Sequence, residues 1–349
     1  MGHPVLRLLR SLASYRRFFF VLEFTPPAFL RNAHLMTLAA AFWPRKFPAL
    51  GACVPREFEV EAGSRILAKC HWQVEPWRGP TLILLHGLEG SSESGYMLGA
   101  ADKAFRAGFN VLRVNQRNCG GTAHLTPTLY NSGLSGDIRA VVNELIGKDS
   151  LREIFVAGSS MGGNIVLKMA GEFGAEAPAE LRGVIGICPA IDLAACADDL
   201  AEARNFVYER HFVNSLKRSM RLKAAMYPGR YPLDGLGRVR TVREFDDVIT
   251  ARFCGFRDAD DYYYRASALR VITEIRVPAL ILTAQDDPFV PFVTFANGGF
   301  PANPNVTVIA PRYGGHCAFI SRESGEERFW AEARVVEFCR ERSELVGRN

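Results

Sequence analysis

No Cys-x-x-Cys pair and no His/Cys spacing suited to metal ligation occurs in this chain of 349 residues, although it carries eight cysteines. Those thiols (Cys53, Cys70, Cys119, Cys188, Cys196, Cys254, Cys317 and Cys339) are scattered. Several fall inside segments that read as strands or helices, where a cysteine serves as a small buried apolar residue. Disulfide frameworks belong to short secreted chains, so a reducing, cytoplasmic setting fits better. His34, His71, His124 and His211 share no ligand spacing, and neither a metal nor a cofactor is expected. An arginine-rich arm, zinc-finger spacing and an aromatic RNA-binding signature are all missing. The formal net charge of +5 comes from scattered basic residues that read as a solvated surface, so no nucleic-acid partner is expected. Internal repeats and low-complexity tracts are also missing.

The first residues lack an uninterrupted apolar core. Leu6, Leu8, Leu9, Leu12 and residues 18–22 are interleaved with Arg7, Arg10, Arg16 and Arg17. No apolar run there approaches the ~18 residues of a membrane span. A small-residue cleavage site is missing, which argues against a secretory signal, and the Ser/Thr of a myristoylation signal is missing too. Packing against the body, or fraying, is the expectation for this segment. Peripheral contact with a membrane surface through residues 1–24 is the alternative that a basic, apolar-faced segment offers.

What is present is an ordinary globular composition, 48% hydrophobic and 23% charged. The length suits one large domain carrying an insertion. Residues 56–61 and 65–72 read as an antiparallel hairpin, residues 81–85, 109–114, 153–157 and 183–188 as strands, and residues 95–107 and 137–146 as helices. The rhythm resumes with strands at 279–283 and 306–309 and a final helix from about 326 to 342. Such βαβ alternation implies a mostly parallel sheet with helices on both faces. Between 190 and 275 it disappears into an amphipathic helical run at 206–226, a Pro/Gly-punctuated passage and a Tyr262-Tyr263-Tyr264 cluster. The expected division is therefore an N-terminal segment (1–55), a first core part (56–190), a helical lid (191–275) and a second core part (276–349).

Gly158-Ser159-Ser160-Met161-Gly162 lies between a short apolar strand and an apolar-faced helix. A G-x-S-x-G in that strand–turn–helix context is a nucleophile elbow, whose tight turn needs glycine on both sides and thrusts the Ser160 hydroxyl above the sheet. Ser159 would break the glycine spacing. A serine hydroxyl is a poor nucleophile until a base takes its proton. His316, in Tyr313-Gly314-Gly315-His316, follows the last strand and is placed to be that base. The carboxylate that orients it is expected in Asp286-Asp287-Pro288, in the order Ser, acid, His. Asp287 is favoured, with Asp286 bracing the loop; Asp192, also after a strand, is a lesser candidate. The oxyanion donors are expected to be the backbone N–H groups of Met161 and of Leu88 in His86-Gly87-Leu88, with His86 bracing that loop. Cys317 reads as core filling. Tyr262 to Tyr264 are divided between lid core and pocket lining.

With these residues laid out, the chain resembles the YheT-like subgroup of α/β-hydrolases. The likeness runs over Phe24-Thr25-Pro26, Asn32-Ala33-His34, His86 to Gly90, Asn115-Gln116-Arg117 with Cys119-Gly120-Gly121, and Gly158 to Asn164. Phe245-Asp246, Tyr262-Tyr263, Asp286-Asp287-Pro288 and Tyr313 to His316 complete it. The resemblance implies an α/β-hydrolase fold, the triad Ser160, Asp287 and His316, no cofactor, and ester hydrolysis on short- to medium-chain acyl esters or glycerolipids. Two positions depart from the family pattern: Leu35-Met36-Thr37 stands where Gln-Thr is usual, and Asn118 where glycine is usual. The resulting expectation is a serine carboxylesterase working through an acyl-enzyme. Its rivals are an acyltransferase, thioesterase or amidase with the same triad, and a non-catalytic lipid-binding or membrane-surface protein on the same scaffold.

Overall fold

A computed structural model describes residues 23–296 and 300–345 of the chain. The expectations for residues 1–22 lie outside the described residues. Eight strands form one sheet in the order β1-β2-β4-β3-β5-β6-β7-β8. β1 (Val54–Glu61) and β2 (Ser64–His71) make an antiparallel hairpin that joins antiparallel to β4 (Asn110–Val114). From β4 onward, through β3 (Thr81–Leu85), β5 (Ile154–Ser159), β6 (Leu181–Ile187), β7 (Ala279–Leu282) and β8 (Val306–Ile309), every pairing is parallel.

The central strands are apolar on both faces because helices cover both. Successive side chains along a strand point to opposite faces. Ile83 and Leu85 accordingly pack with Ile138, Val141 and Leu145 of α3 (Ser135–Gly147) and Ile165 of α4 (Met161–Phe173). Leu82 and Leu84 pack the other way, with Met36 of α1 (Ala33–Phe42), Met97 of α2 (Gly95–Arg106) and Val335 and Phe338 of α9 (Trp330–Arg342). Phe24 seals that second layer edge-on to Phe319, with ring centroids 5.7 Å apart.

Chain order reverses around β3, which sits between β4 and β5. In open parallel sheets such a switch leaves a crevice at the carboxyl ends of the strands. The loops after β3 and β5 border it. Between β6 and β7 the chain leaves the sheet for α5 (Leu193–Leu200), α6 (Phe206–Met226), α7 (Val242–Phe245) and α8 (Ala259–Ala266), α7 running on through a π-helical turn at Asp246–Ala251. α6 shows why its sequence looked amphipathic: Val213, Leu216 and Met220, at helical spacing, bury against Tyr231, Leu236, Val239, Phe245 and Ile249. α7 begins with a reciprocal cap between Thr241 and Glu244.

Several boundaries differ from expectation. α4 starts directly after Ser160, two residues before the apolar pattern becomes visible, and α3 begins at Ser135 behind Leu134. α9 begins at Trp330 instead of near 326, because Gly325 takes φ 66° and Phe329 forms a β-bridge with Ile320. Among the described residues no helix is long and apolar enough to cross a membrane.

Candidate active site

Ser160 holds φ 54° and ψ −120°, a region costly for a residue with a Cβ, about 1–3 kcal/mol. Its neighbours over-determine that geometry. The Ser160 N–H donates to Ile187 O at 2.8 Å, and its carbonyl accepts from Asn164 N at 3.1 Å and Ala190 N at 3.3 Å. A Cβ on Gly158 would fall 2.2 Å from Gly162 O, and one on Gly162 would fall 2.4 Å from His86 O. Both glycines are therefore obligatory for the turn, and the serine hydroxyl is left facing the cleft.

The loop after β3 comes up against this serine, with the Cβ position of Gly87 only 3.1 Å from Ser160 Cβ. His86 is fully buried and holds the loop. Its Nδ1 meets Gly87 O at 2.8 Å, and its Nε2 accepts from Gln116 N at 3.1 Å. Burial lowers its pKa to about 4, so the ring is neutral at ordinary pH and suited to donating at one nitrogen while accepting at the other. The Gly87 N–H is spent on Tyr96 Oη at 2.9 Å. The next N–H, that of Leu88, donates to no acceptor in the described structure. Met161 is the first residue of α4, where an N–H has no intrahelical partner.

Asp287, which follows β7, meets the His316 ring. Its Oδ2 is 2.9 Å and its Oδ1 3.2 Å from His316 Nδ1. Oδ1 also accepts from the N–H groups of Phe289 and Val290, each at 3.0 Å, and the carboxylate side chain is wholly shielded from solvent. Asp286 turns away and accepts from Gly315 N at 2.9 Å, so it braces the histidine loop. Asp192 caps α5 through Ala195 N. The Phe289 ring lies 4.2 Å from the His316 ring, and the His316 N–H donates to Thr37 Oγ1 at 2.9 Å. Burial pulls the ring's pKa down, but the Asp287 carboxylate and the Cys317 sulfur outweigh it and raise the value above that of an ordinary imidazole. No hydrogen bond joins the Ser160 hydroxyl to this ring among the described residues.

Cys317 packs against the second core layer, as core filling implies, and is half-buried. Its thiol reaches Ile187 O at 3.4 Å, and its N–H donates to Cys188 Sγ at 3.3 Å. The Ile187 carbonyl thus accepts from both Ser160 and Cys317, which sets the thiol beside the elbow. Burial raises the Cys317 pKa, yet the hydrogen bond with Cys188 and the charge on His316 outweigh it and lower the value.

Ser160, Met161 and Leu88 face a cleft of roughly 1110 Å³, part of it open to solvent, walled by Leu129, Leu193, Phe212, Leu216 and Phe289 among others. Tyr262 and Tyr263 line it while being buried, and Tyr264 points outward. Two polar features of the cleft were not evident beforehand. Glu89 accepts from the hydroxyls of Tyr130 at 2.5 Å and of Ser215 and Ser219 at 2.7 Å each, tying the loop after β3 to α6. Lys223, buried on α6, donates to Asn118 Oδ1 at 2.6 Å and Ala123 O at 2.8 Å. Asn118, at φ 69°, keeps the left-handed turn that glycine would favour and adds this tie.

A family described as alpha/beta hydrolase fold matches residues 80–323. The YheT esterase of Escherichia coli is 31% identical over 90% of this chain and 92% of its own length. The monoacylglycerol lipase of Saccharomyces cerevisiae is 30% identical over 72% of this chain and 57% of its own. Among solved structures, an esterase of Pyrococcus furiosus superposes with a TM-score of 0.55 over 85% of this chain and 98% of its own, at 16% identity. With the family matched from β3 through the loop that carries His316, the chain belongs to the α/β-hydrolases, in their YheT-like group, and is a carboxylic ester hydrolase.

Proposed function

We propose that the protein is a serine carboxylesterase in which Ser160 is the nucleophile, His316 its base and Asp287 the carboxylate that orients the base. The reading is carried by the 2.9 Å contact of Asp287 Oδ2 with His316 Nδ1, made against the ring of Phe289, which lines the same cleft as the strained Ser160. That contact fixes the proton on Nδ1, so Nε2 carries the lone pair. As substrate enters, Nε2 takes the Ser160 proton while Oγ attacks the ester carbonyl. The oxygen of the tetrahedral adduct becomes negative and accepts from the Leu88 and Met161 N–H groups. His316 returns the proton to the departing alcohol, leaving an acyl-enzyme. Water, deprotonated by the same nitrogen, then releases the acid and restores Ser160.

The apolar walls between β6 and β7 support an acyl chain as the group held there, with residues 191–275 acting as the lid. Short- to medium-chain acyl esters or glycerolipid esters are the proposed class, in keeping with relatives named monoacylglycerol lipase and phospholipase. Purified protein assayed on p-nitrophenyl esters of graded chain length tests this. Hydrolysis is expected to peak at a chain the cleft accommodates and to vanish in Ser160→Ala, together with labelling by a serine-directed phosphonate. Labelling that persists in Ser160→Ala would place the nucleophile elsewhere.

A further inference from the structure

We propose that Cys188, Cys317 and His316 form a binding site for a borderline-soft divalent cation of the Zn²⁺ type, and that filling it shuts the hydrolase off. One ligand atom from each of the three, two sulfurs and a ring nitrogen, lies within 4.8 Å of the others. Cys188 directly follows β6, whereas His316 and Cys317 sit in the loop after β8, so the fold brings together groups that no local spacing announces. The two cysteines are already coupled, the Cys317 N–H donating to Cys188 Sγ at 3.3 Å.

Thiolates and an imidazole are the donors Zn²⁺ takes in closed tetrahedral sites, and a Zn–S bond of about 2.3 Å implies sulfurs about 3.8 Å apart. Asp287 engages Nδ1 of His316 at 2.9 Å, leaving Nε2 for a metal. A carboxylate behind a ligating histidine is the usual outer support of a zinc site. Both thiols would release their protons to solvent on binding, and the two resulting negative charges match the ion. Cys188 is fully buried and closes the far side, while His316 and Cys317 are only half-buried and leave a side open to solvent. Water from that side can supply the fourth ligand.

A metal on Nε2 removes the lone pair that would accept the Ser160 proton. The shut-off, though not the binding, rests on the serine-esterase reading. The test uses the reduced full chain. Cd²⁺ titration should raise a thiolate-to-metal absorption band that saturates at one ion per chain and weakens by about tenfold or more in affinity in Cys188→Ala and Cys317→Ser. Zn²⁺ should abolish hydrolysis of a p-nitrophenyl ester in the wild type, reversibly with EDTA. Each variant, measured against its own metal-free rate, should need at least about tenfold more Zn²⁺. Should the variants fail to fold, protection of Cys317 from iodoacetamide by Zn²⁺ in the wild type, read by mass spectrometry, gives the same answer. No band and no protection, with Ser160 still labelled by the phosphonate, overturns the metal site and leaves the esterase standing. Bound metal with undiminished hydrolysis overturns the shut-off. A metal-free protein that neither hydrolyses esters nor takes the probe fails on the esterase reading, whatever it does with Cd²⁺.

Discussion

Replacing Asp287 by asparagine separates orientation of the base from construction of the loop. In Asp287→Asn the amide oxygen would keep the position of Oδ1 and still accept from Phe289 N and Val290 N, now at 3.0 Å each. The amide NH₂ would replace Oδ2, which faces His316 Nδ1 at 2.9 Å. A donor there obliges Nδ1 to accept, which moves the ring proton to Nε2, the nitrogen meant to receive the proton of Ser160. The fold should therefore survive, with a stability change of about 1 kcal/mol or less, since no buried group is orphaned. Catalysis should not survive: the wrong tautomer is worth about 10⁴ in kcat, or about 5.5 kcal/mol of transition-state stabilisation. Asp287→Ala, by contrast, would strip the acceptor from three N–H donors and should cost about 1–3 kcal/mol of stability for each donor left buried. Ester hydrolysis and thermal unfolding measured on the same samples give both numbers. An Asp287→Asn protein within tenfold of wild-type kcat/KM would refute the tautomer argument.

Other expectations follow from the same geometry. A base works when deprotonated, and Asp287 raises the pKa of His316, so the acid limb of kcat/KM in metal-free buffer should have its midpoint above the ordinary imidazole value of about 6.5; a midpoint below that value would count against His316 as the base. Gly162→Ala should destabilise by about 1–3 kcal/mol or prevent folding, since its methyl would meet His86 O at 2.4 Å; urea unfolding unchanged from wild type would contradict the packing described. Glu332, buried on α9, pairs with Arg45 and Lys103 at 2.7 Å each, and Glu332→Gln would leave two shielded cations, a loss of about 3–5 kcal/mol by denaturant titration. A loss below about 1 kcal/mol would mean that water reaches the site.

Strands β3 and β8 and helix α6 have the limits the sequence suggests, with Pro80 directly ahead of β3 and Pro311 and Pro228 two residues beyond β8 and α6. The elbow was legible for a stronger reason: Gly158 and Gly162 are fixed by contacts under 2.5 Å that no other residue tolerates. Sequence also narrowed the carboxylate to two favoured neighbours, with Asp192 as a lesser candidate. Which of them turns to the ring depends on the N–H groups of Phe289, Val290 and Gly315, and side-chain direction within a loop leaves no periodic trace. Cys317 was read as core filling and packs so, but its tie to Cys188 was hidden for a related cause. It adopts φ 55° without being glycine, and its sulfur partner lies 129 positions away in the chain. The ties of Glu89 and Lys223 to α6 were equally hidden, since a buried ionic side chain reads in sequence like any solvated one.

Thr37 sits far upstream of the sheet, in α1, yet its hydroxyl takes the amide hydrogen of His316, and it would lie 2.7 Å from any Cβ placed on Gly315. Helix α1 is thus a strut under the residue proposed to move protons. Replacing Thr37 by valine would leave Met36 and Phe24 in the core and every sheet pairing in place, but the histidine loop would lose that anchor and its imidazole would be free to drift. In such a protein, intact secondary structure would be no guarantee of turnover.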